Sequence, residues 1–453
     1  MQYHLTAPSR LQATVALPAS KSISNRVLIL HALAHSRQLP GNLSDCDDTA
    51  VMVKALLASS DRLPSSELSA GAEPTVIDIK AAGTAMRFLT AYLSLTPGTW
   101  LLTGTERMQH RPIGVLVDAL RSRGANISYV GHEGFPPLCI TGQDPTSTTT
   151  TLHGGRLCLP GGISSQYVSA LLMIGPLLSD GLRLELTGTI LSRPYIDLTL
   201  ALMRLFGAEA DWTSASSLEV KPGNYQARAC QVEADWSAAS YWYEALALAA
   251  RKGPVSPSQS PGIEGYTEDP EIPYNPSVEL LGLVADSCQG DHAVADLFGR
   301  LGIRTAYTDR GVSLSPMGLP VARLVDDLGR TPDLAQTVVV TCCMLGIPFR
   351  LAGLESLRIK ETDRIAALIT ELHRLGFVVR EEQSGVLSWQ GERCPVDPCP
   401  VVRTYADHRM AMAFAPAALM GYDLSIDDPE VVSKSYPHFW DDLRRAGFMI
   451  EPR

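Results

Sequence analysis

Apolar residues at 365, 368, 369, 372 and 375 recur at helical spacing behind the run RIKETDR at 358–364, and Gly376 closes the pattern. Spacings of i, i+3, i+4 and i+7 place one apolar stripe on an α-helix, and a glycine just past it is a stop signal. The predicted helix buries one face and carries two arginines, a lysine, a glutamate and an aspartate at its entry. A second pattern is apolar on nearly all sides. VLILHALA at 27–34 follows LPASKSISNR at 17–26, which predicts a buried helix led by hydroxyls and cations. LPGGISSQY at 159–167 echoes that stretch and again precedes an apolar helix, VSALLMI at 168–174. MAMAFAPAAL at 410–419 is helical in composition, and Pro416 should kink or end it.

The echoes form a repeat. Helices ending in Leu-x-x-x-Gly or a close variant, each followed by a strand-like tail, are predicted at 111–124, 193–207, 289–302, 361–376 and 436–447. A sixth, at 47–57, lacks the glycine. Copies roughly 65 to 95 residues apart indicate one supersecondary block repeated six times, three per domain, with a division near residue 230. A length of 453 residues also exceeds one ordinary core. Two segments break the repeat: the polar tract at 146–151 and a Pro-, Gly- and Ser-rich stretch at 251–275, which reads as a surface insertion.

Charge and composition narrow the function. The net charge of -10 argues against nucleic-acid binding, although a local basic cluster can still hold a small anion. Nine cysteines, with no CxxC pair, suit neither a disulfide framework nor a zinc set, so reduced thiols and a cytoplasmic protein are expected. The first ten residues lack the apolar core of a signal peptide, and no apolar run reaches transmembrane length.

The chemistry gathers at helix starts. Lys360 and Arg364 beside a positive helix end suit an oxyanion, with Thr362 or Asp363 as cap and Glu361 as a proton carrier. Ser20, Ser22 and Ser24 are cap candidates, with Lys21 and Arg26 beside them. Gly83 allows close backbone approach, with Thr84 and Arg87 following, and Arg111 stands just ahead of Pro112. Asp407 can cap the next helix and leaves His408 and Arg409 at its start, while Lys434 lies near the last helix. Any one of these is more often a solvated, ion-paired helix start than a site. Their number carries the weight. Lys21, Arg26, Arg87, Arg111, Arg193, Lys360, Arg364, Arg409 and Lys434 sit at equivalent places, and they converge if the helices of each domain point their N-termini the same way.

The stretches at 17–26, 82–87 (AGTAMR), 107–114 (RMQHRPIG), 164–166 (SSQ), 358–364 and 407–412 (DHRMAM) resemble, in order and spacing, the signatures of the EPSP synthase family. The resemblance covers nearly the whole chain. It implies an α/β fold of two similar domains, 21–232 and 1–20 plus 233–453, each of three βαβαββ units of the inside-out barrel type, with the site in the cleft between them. It implies a monomer, without metal or organic cofactor, acting on shikimate 3-phosphate and phosphoenolpyruvate. Ser22 and Arg26 would hold the shikimate carboxylate; Ser164, Ser165 and Ser192 its phosphate, with Tyr195 beside the ring. Asp333 and Lys360 would meet the 5-hydroxyl region, Asp333 as base. Lys21, Gly83, Arg111, Gln166, Arg364, Arg409 and Lys434 would bind phosphoenolpyruvate. Glu361 would exchange the proton at its C3, and His408 would complete the catalytic set with Lys21 and Lys434. Ala81, Phe88 and Ala406 depart from the family's common residues, as does Ser356, a shorter donor where asparagine is usual.

Three rivals are weaker. The sister transferase acting on UDP-N-acetylglucosamine uses a cysteine acid, and the loop at 108–111 has none. A catalytically dead anion-binding homologue would not need Lys21, Asp333, Glu361 and Lys434 together. A kinase would need a GxxxxGK[ST] loop, which is missing.

Overall fold

The computed structural model describes residues 1–36, 38–60, 73–143, 152–251 and 275–453. The tract at 146–151 and nearly all of the 251–275 stretch lie outside the described residues. The chain divides into two compact units. The inserted unit is Ala19–Glu233 with Cys288–Gly290, and the terminal unit is Met1–Pro18, Ala234–Ser287 and Asp291–Arg453.

One block recurs in both units. In the inserted unit, Thr75–Asp78 runs parallel to Gly98–Thr103, which is antiparallel to Leu138–Gly142, with Asn126–Tyr129 at the edge. Helix Gly83–Ser94 joins the first two strands, and helix Gly114–Arg121 leads into the hairpin. This is a βαβαββ unit. Gly155–Pro160, Leu182–Thr187, Ser217–Val220 and Ala210–Trp212 repeat it with helices Ser165–Ile174 and Arg193–Leu205. In the terminal unit, Leu324–Asp327, Phe349–Ala352, Val386–Trp389 and Arg380–Gln383 repeat it with helices Ala335–Leu345 and Arg364–Arg374.

Two further sheets of the terminal unit borrow strands from the start of the chain. Gln12–Ala16 pairs parallel with Ser277–Leu281. Gln2–Thr6 lies between Leu424–Asp427 and Met449–Pro452. The remaining copy, in the inserted unit, shows helices Lys21–Leu33 and Asp47–Ser60 and one parallel bridge between Gly41 and Gln231.

Burial explains the layering. Strand Gly98–Thr103 alternates, with Trp100 and Leu102 inside, as a sheet with one wet face must. The helices Ser165–Ile174, Trp236–Arg251 and Ala335–Leu345 are buried nearly all round. The helices therefore form the core of each unit, and the sheets cover them. No helix among the described residues is long and apolar enough to cross a membrane.

The Lys21–Leu33 helix starts six residues before the apolar run that predicts it. Ser20 caps it by accepting from the Ile23 amide at 3.4 Å. Its polar first turns are paid for by tertiary bonds: Ser24 Oγ accepts from the Ser44 amide at 3.0 Å, and Asn25 Oδ1 accepts from Thr49 Oγ1 at 3.2 Å. At Pro416 the α-helix His408–Phe414 gives way to the 3₁₀ helix Ala415–Met420, as the lost N–H dictates.

Glu244, in the Trp236–Arg251 helix, is fully buried, and neither carboxyl oxygen has a partner among the described residues. Burial pushes its carboxyl well above the ordinary range. The folded chain thus keeps a proton that the unfolded chain releases near pH 4.3. The stability this proton confers is full below that pH and declines as pH rises toward the folded value. Glu244→Gln removes the decline. Thermal unfolding should show the variant more stable than the parent at pH 8, with the margin shrinking toward pH 5; a margin independent of pH refutes the assignment.

Candidate active site

In the inserted unit, four helices bring their second turns together around Arg26. Its Nε donates to Thr199 Oγ1 at 2.7 Å and its Nη1 to the Ser22 carbonyl at 2.9 Å. Nη2 donates to Ser169 Oγ and to the Tyr195 carbonyl, both at 3.3 Å. Phe88 lies beneath the guanidinium, 5.3 Å away. Arg26, Phe88, Ser169 and Thr199 are second-turn residues of four different helices, so those helices begin at a common end. None of the partners is a carboxylate. Burial pulls the guanidinium down to about 10. A desolvated cation with only neutral partners lacks the counter-charge that a buried ion ordinarily has.

The other predicted residues of this unit are at the same helix starts. Ser164 caps Ser165–Ile174, accepting from the Gln166 amide at 3.4 Å, and Ser165 is buried. Ser192, at φ 54°, precedes Arg193–Leu205. Gln166 Nε2 donates to Thr84 Oγ1 at 3.0 Å. A Cβ at Gly83 would stand 2.6 Å from Arg111 Nη1, so a side chain there would push the guanidinium aside. Arg111 is held in place from behind, because the carbonyl of Pro112 accepts from Arg87 Nη2 at 3.0 Å and from Tyr167 Oη. Its own Nε finds no partner among the described residues. Lys21 Nζ is 3.3 Å from Asp48. Arg193 goes elsewhere, stacking 3.9 Å over the Trp212 ring.

In the terminal unit the cations meet carboxylates. Asp363 caps Arg364–Arg374, accepting from the Ala366 amide at 3.1 Å. Arg364 is buried and bonded on three sides: to Asp407 at 2.7 and 3.2 Å, to Glu361 Oε2 at 2.9 Å and to Asp333 Oδ1 at 3.1 Å. Lys360 Nζ is 3.3 Å from Asp333 Oδ1, and Arg409 Nη2 is 3.1 Å from Asp333 Oδ2. Burial alone would raise the Asp333 carboxyl, but Arg409, Lys360 and Arg364 together hold it well below the usual carboxylate range. Asp407 caps the His408–Phe414 helix, accepting from the Arg409 amide at 3.0 Å. His408 is buried, its Nδ1 3.7 Å from Asp407. Lys434 ends the 3₁₀ helix Pro429–Lys434, which packs on the His408–Phe414 helix. Ser356 lies in the 3₁₀ turn Glu355–Ile359.

A sequence model described as EPSP synthase (3-phosphoshikimate 1-carboxyvinyltransferase) matches residues 5–255 and 274–443. The 3-phosphoshikimate 1-carboxyvinyltransferase of Bacteroides fragilis is 53% identical over 451 residues, covering 100% of this chain and 99% of that protein. That of Shewanella halifaxensis is 35% identical over 457 residues, covering 98% of each. The chain belongs to the EPSP synthase family. An EPSP synthase structure from Acinetobacter baumannii shares the fold, with a TM-score of 0.71, 20% identity and 100% of each chain covered. The two blocks that match the family are separated by the Pro-, Gly- and Ser-rich stretch that reads as an insertion.

The family signatures mark the charged residues and pass over their supports. Ser169, Thr199, Tyr167, Ser237, Tyr241 and Asp291 are absent from the sequence-based set, although each touches one of its members or that member's support. A signal exists for some of them. A hydroxyl on the apolar face of a helix, as at Ser169 or Thr199, is buried and needs a partner.

Proposed function

We propose that the protein transfers the enolpyruvyl group of phosphoenolpyruvate to the 5-hydroxyl of shikimate 3-phosphate, giving 5-enolpyruvylshikimate 3-phosphate and phosphate. The observation that carries this is a pair of contrasting cation sets in a chain of this family. Arg26 is desolvated among neutral groups, whereas Lys360, Arg364 and Arg409 surround Asp333.

Arg26 and Ser22 take the carboxylate of shikimate 3-phosphate. Ser164, Ser165 and Ser192 take its phosphate, with Tyr195 alongside. Arg364, Arg409 and Lys434 take the charges of phosphoenolpyruvate, and Lys21, Gly83, Arg111 and Gln166 form a second set of contacts to it. Asp333 and Lys360 orient the 5-hydroxyl. As it stands, Asp333 is a weak base, because three cations stabilise its charge. Phosphoenolpyruvate bound to Arg364 and Arg409 competes for two of them, which raises the proton affinity of Asp333 when a base is needed.

The hydroxyl oxygen then attacks C2 of phosphoenolpyruvate. Its proton passes to Asp333, and Glu361 protonates C3. The C2–C3 double bond becomes single, giving a tetrahedral intermediate with a methyl group. Loss of phosphate, which takes the proton held by Asp333, and return of a C3 proton to Glu361 restore the double bond and both carboxyl groups. The cations stabilise the charge on the departing phosphate.

The test is phosphate release. It should require shikimate 3-phosphate and phosphoenolpyruvate together. Release with UDP-N-acetylglucosamine in place of shikimate 3-phosphate would overturn the reading.

A further inference from the structure

Arg409 is held by Asp333 and by two groups that no family signature marks. Its Nη1 donates to Tyr241 Oη at 3.4 Å and to the Asp333 carbonyl at 3.2 Å, and its Nη2 donates to Ser237 Oγ at 3.5 Å. Ser237, in the first turn of the Trp236–Arg251 helix, donates its hydroxyl hydrogen to Asp291 Oδ2. A hydroxyl has one hydrogen and two lone pairs. With the hydrogen committed to Asp291, the oxygen can only accept, and Arg409 is a donor that faces it. Two carboxylates, Asp291 buried and Asp333 partly so, thus flank one guanidinium. Asp333 touches it directly, and Asp291 acts through Ser237. Burial and the charge of Asp333 push the Asp291 carboxyl up to about 6, against the opposing pull of Arg409 and Ser237.

We propose that Asp291 and Ser237 are positioning residues for Arg409, fixing the face it turns to the anionic groups of phosphoenolpyruvate. This rests on the reading that Arg409 binds that substrate. Arginine is long and rich in rotamers, and ordering it before the substrate arrives removes part of the cost of binding. The arrangement is unfavourable on its own account, since Asp291 is buried near a second carboxylate.

The experiment is initial-rate kinetics with each substrate varied, together with thermal unfolding, on Asp291→Ala, Asp291→Asn, Ser237→Ala, Arg409→Ala and the Asp291→Ala/Arg409→Ala pair. Asp291→Ala and Ser237→Ala should each raise the KM for phosphoenolpyruvate on the order of tenfold, the size of one hydrogen bond to a charged group. The KM for shikimate 3-phosphate and the unfolding midpoint should not move. Asp291→Asn still offers an oxygen to the Ser237 hydroxyl and should restore most of the loss. In the Arg409→Ala background, Asp291→Ala should add nothing.

Equal shifts in both KM values, or a parallel drop in the unfolding midpoint, would show a general structural role and overturn the proposal. So would a full Asp291→Ala effect without Arg409. A large Arg409→Ala effect beside a silent Asp291→Ala overturns the positioning role alone. A silent Arg409→Ala overturns the reading of Arg409 and the proposal with it. Should Asp291→Ala fail to fold, Ser237→Ala carries the same test.

Discussion

Glu361→Gln lowers turnover by about 10²–10⁴-fold, the usual worth of a positioned acid–base group, while shikimate 3-phosphate binds almost as before. Glu361 stands at the entry to the Arg364–Arg374 helix, and its Oε2 accepts from Arg364 Nη2 at 2.9 Å. Glutamine has the same shape and keeps an oxygen for that bond. It cannot give a proton to C3 or take one back. The carboxylate and phosphate of shikimate 3-phosphate are assigned to residues of the inserted unit, and Glu361, in the terminal unit, is assigned no contact with it. Turnover and binding should therefore separate. Steady-state rates with both substrates saturating and calorimetric titration with shikimate 3-phosphate measure the two quantities. Turnover at the parent's rate would remove Glu361 from the chemistry even with the family assignment intact.

Arg26→Ala should weaken shikimate 3-phosphate by roughly 10- to 150-fold, about 1.5–3 kcal/mol for one charge-assisted bond. Its effect on stability should be small. The guanidinium is buried without a carboxylate, so folding already bears its desolvation. When it is removed, Ser169 and Thr199 still bond each other, their hydroxyls 2.8 Å apart. The KM for phosphoenolpyruvate should stay near the parent value. Calorimetry of shikimate 3-phosphate binding and thermal unfolding test both halves. Undiminished affinity would place the substrate's carboxylate elsewhere.

The repeat was legible because each copy carries its own apolar helix, and five of the six a terminal glycine. Gly376 at φ 89°, Gly447 at 96°, Gly302 at 89° and Gly207 at 89° all end helices in the left-handed region. The start of the Lys21–Leu33 helix was not legible. Ser22, Ser24, Asn25 and Arg26 look like loop residues to a periodicity argument, and only their tertiary partners make them helical. The cations were legible as a group, but their surroundings were not. Nothing in the spacing distinguishes Arg26, among neutral groups, from Arg364, bonded to three carboxylates. That difference arises from contacts across the sequence, such as Arg364 to Asp407 and Arg26 to Thr199.

Strand Gln2–Thr6 also fixes an order of events during synthesis. It pairs with Leu424–Asp427 on one side and with Met449–Pro452 on the other, Tyr3 lying opposite Pro452. At about 5–20 residues per second, a ribosome needs roughly 20 to 90 s to supply those partners. The inserted unit is almost continuous from Ala19 to Glu233 and can fold as it emerges. Throughout that time Gln2–Thr6 lacks both of its sheet partners, and its unpaired backbone groups are open to other nascent chains. Gln2–Thr6 thus waits longest for its partners, and chaperone demand should follow translation of the second half of the chain.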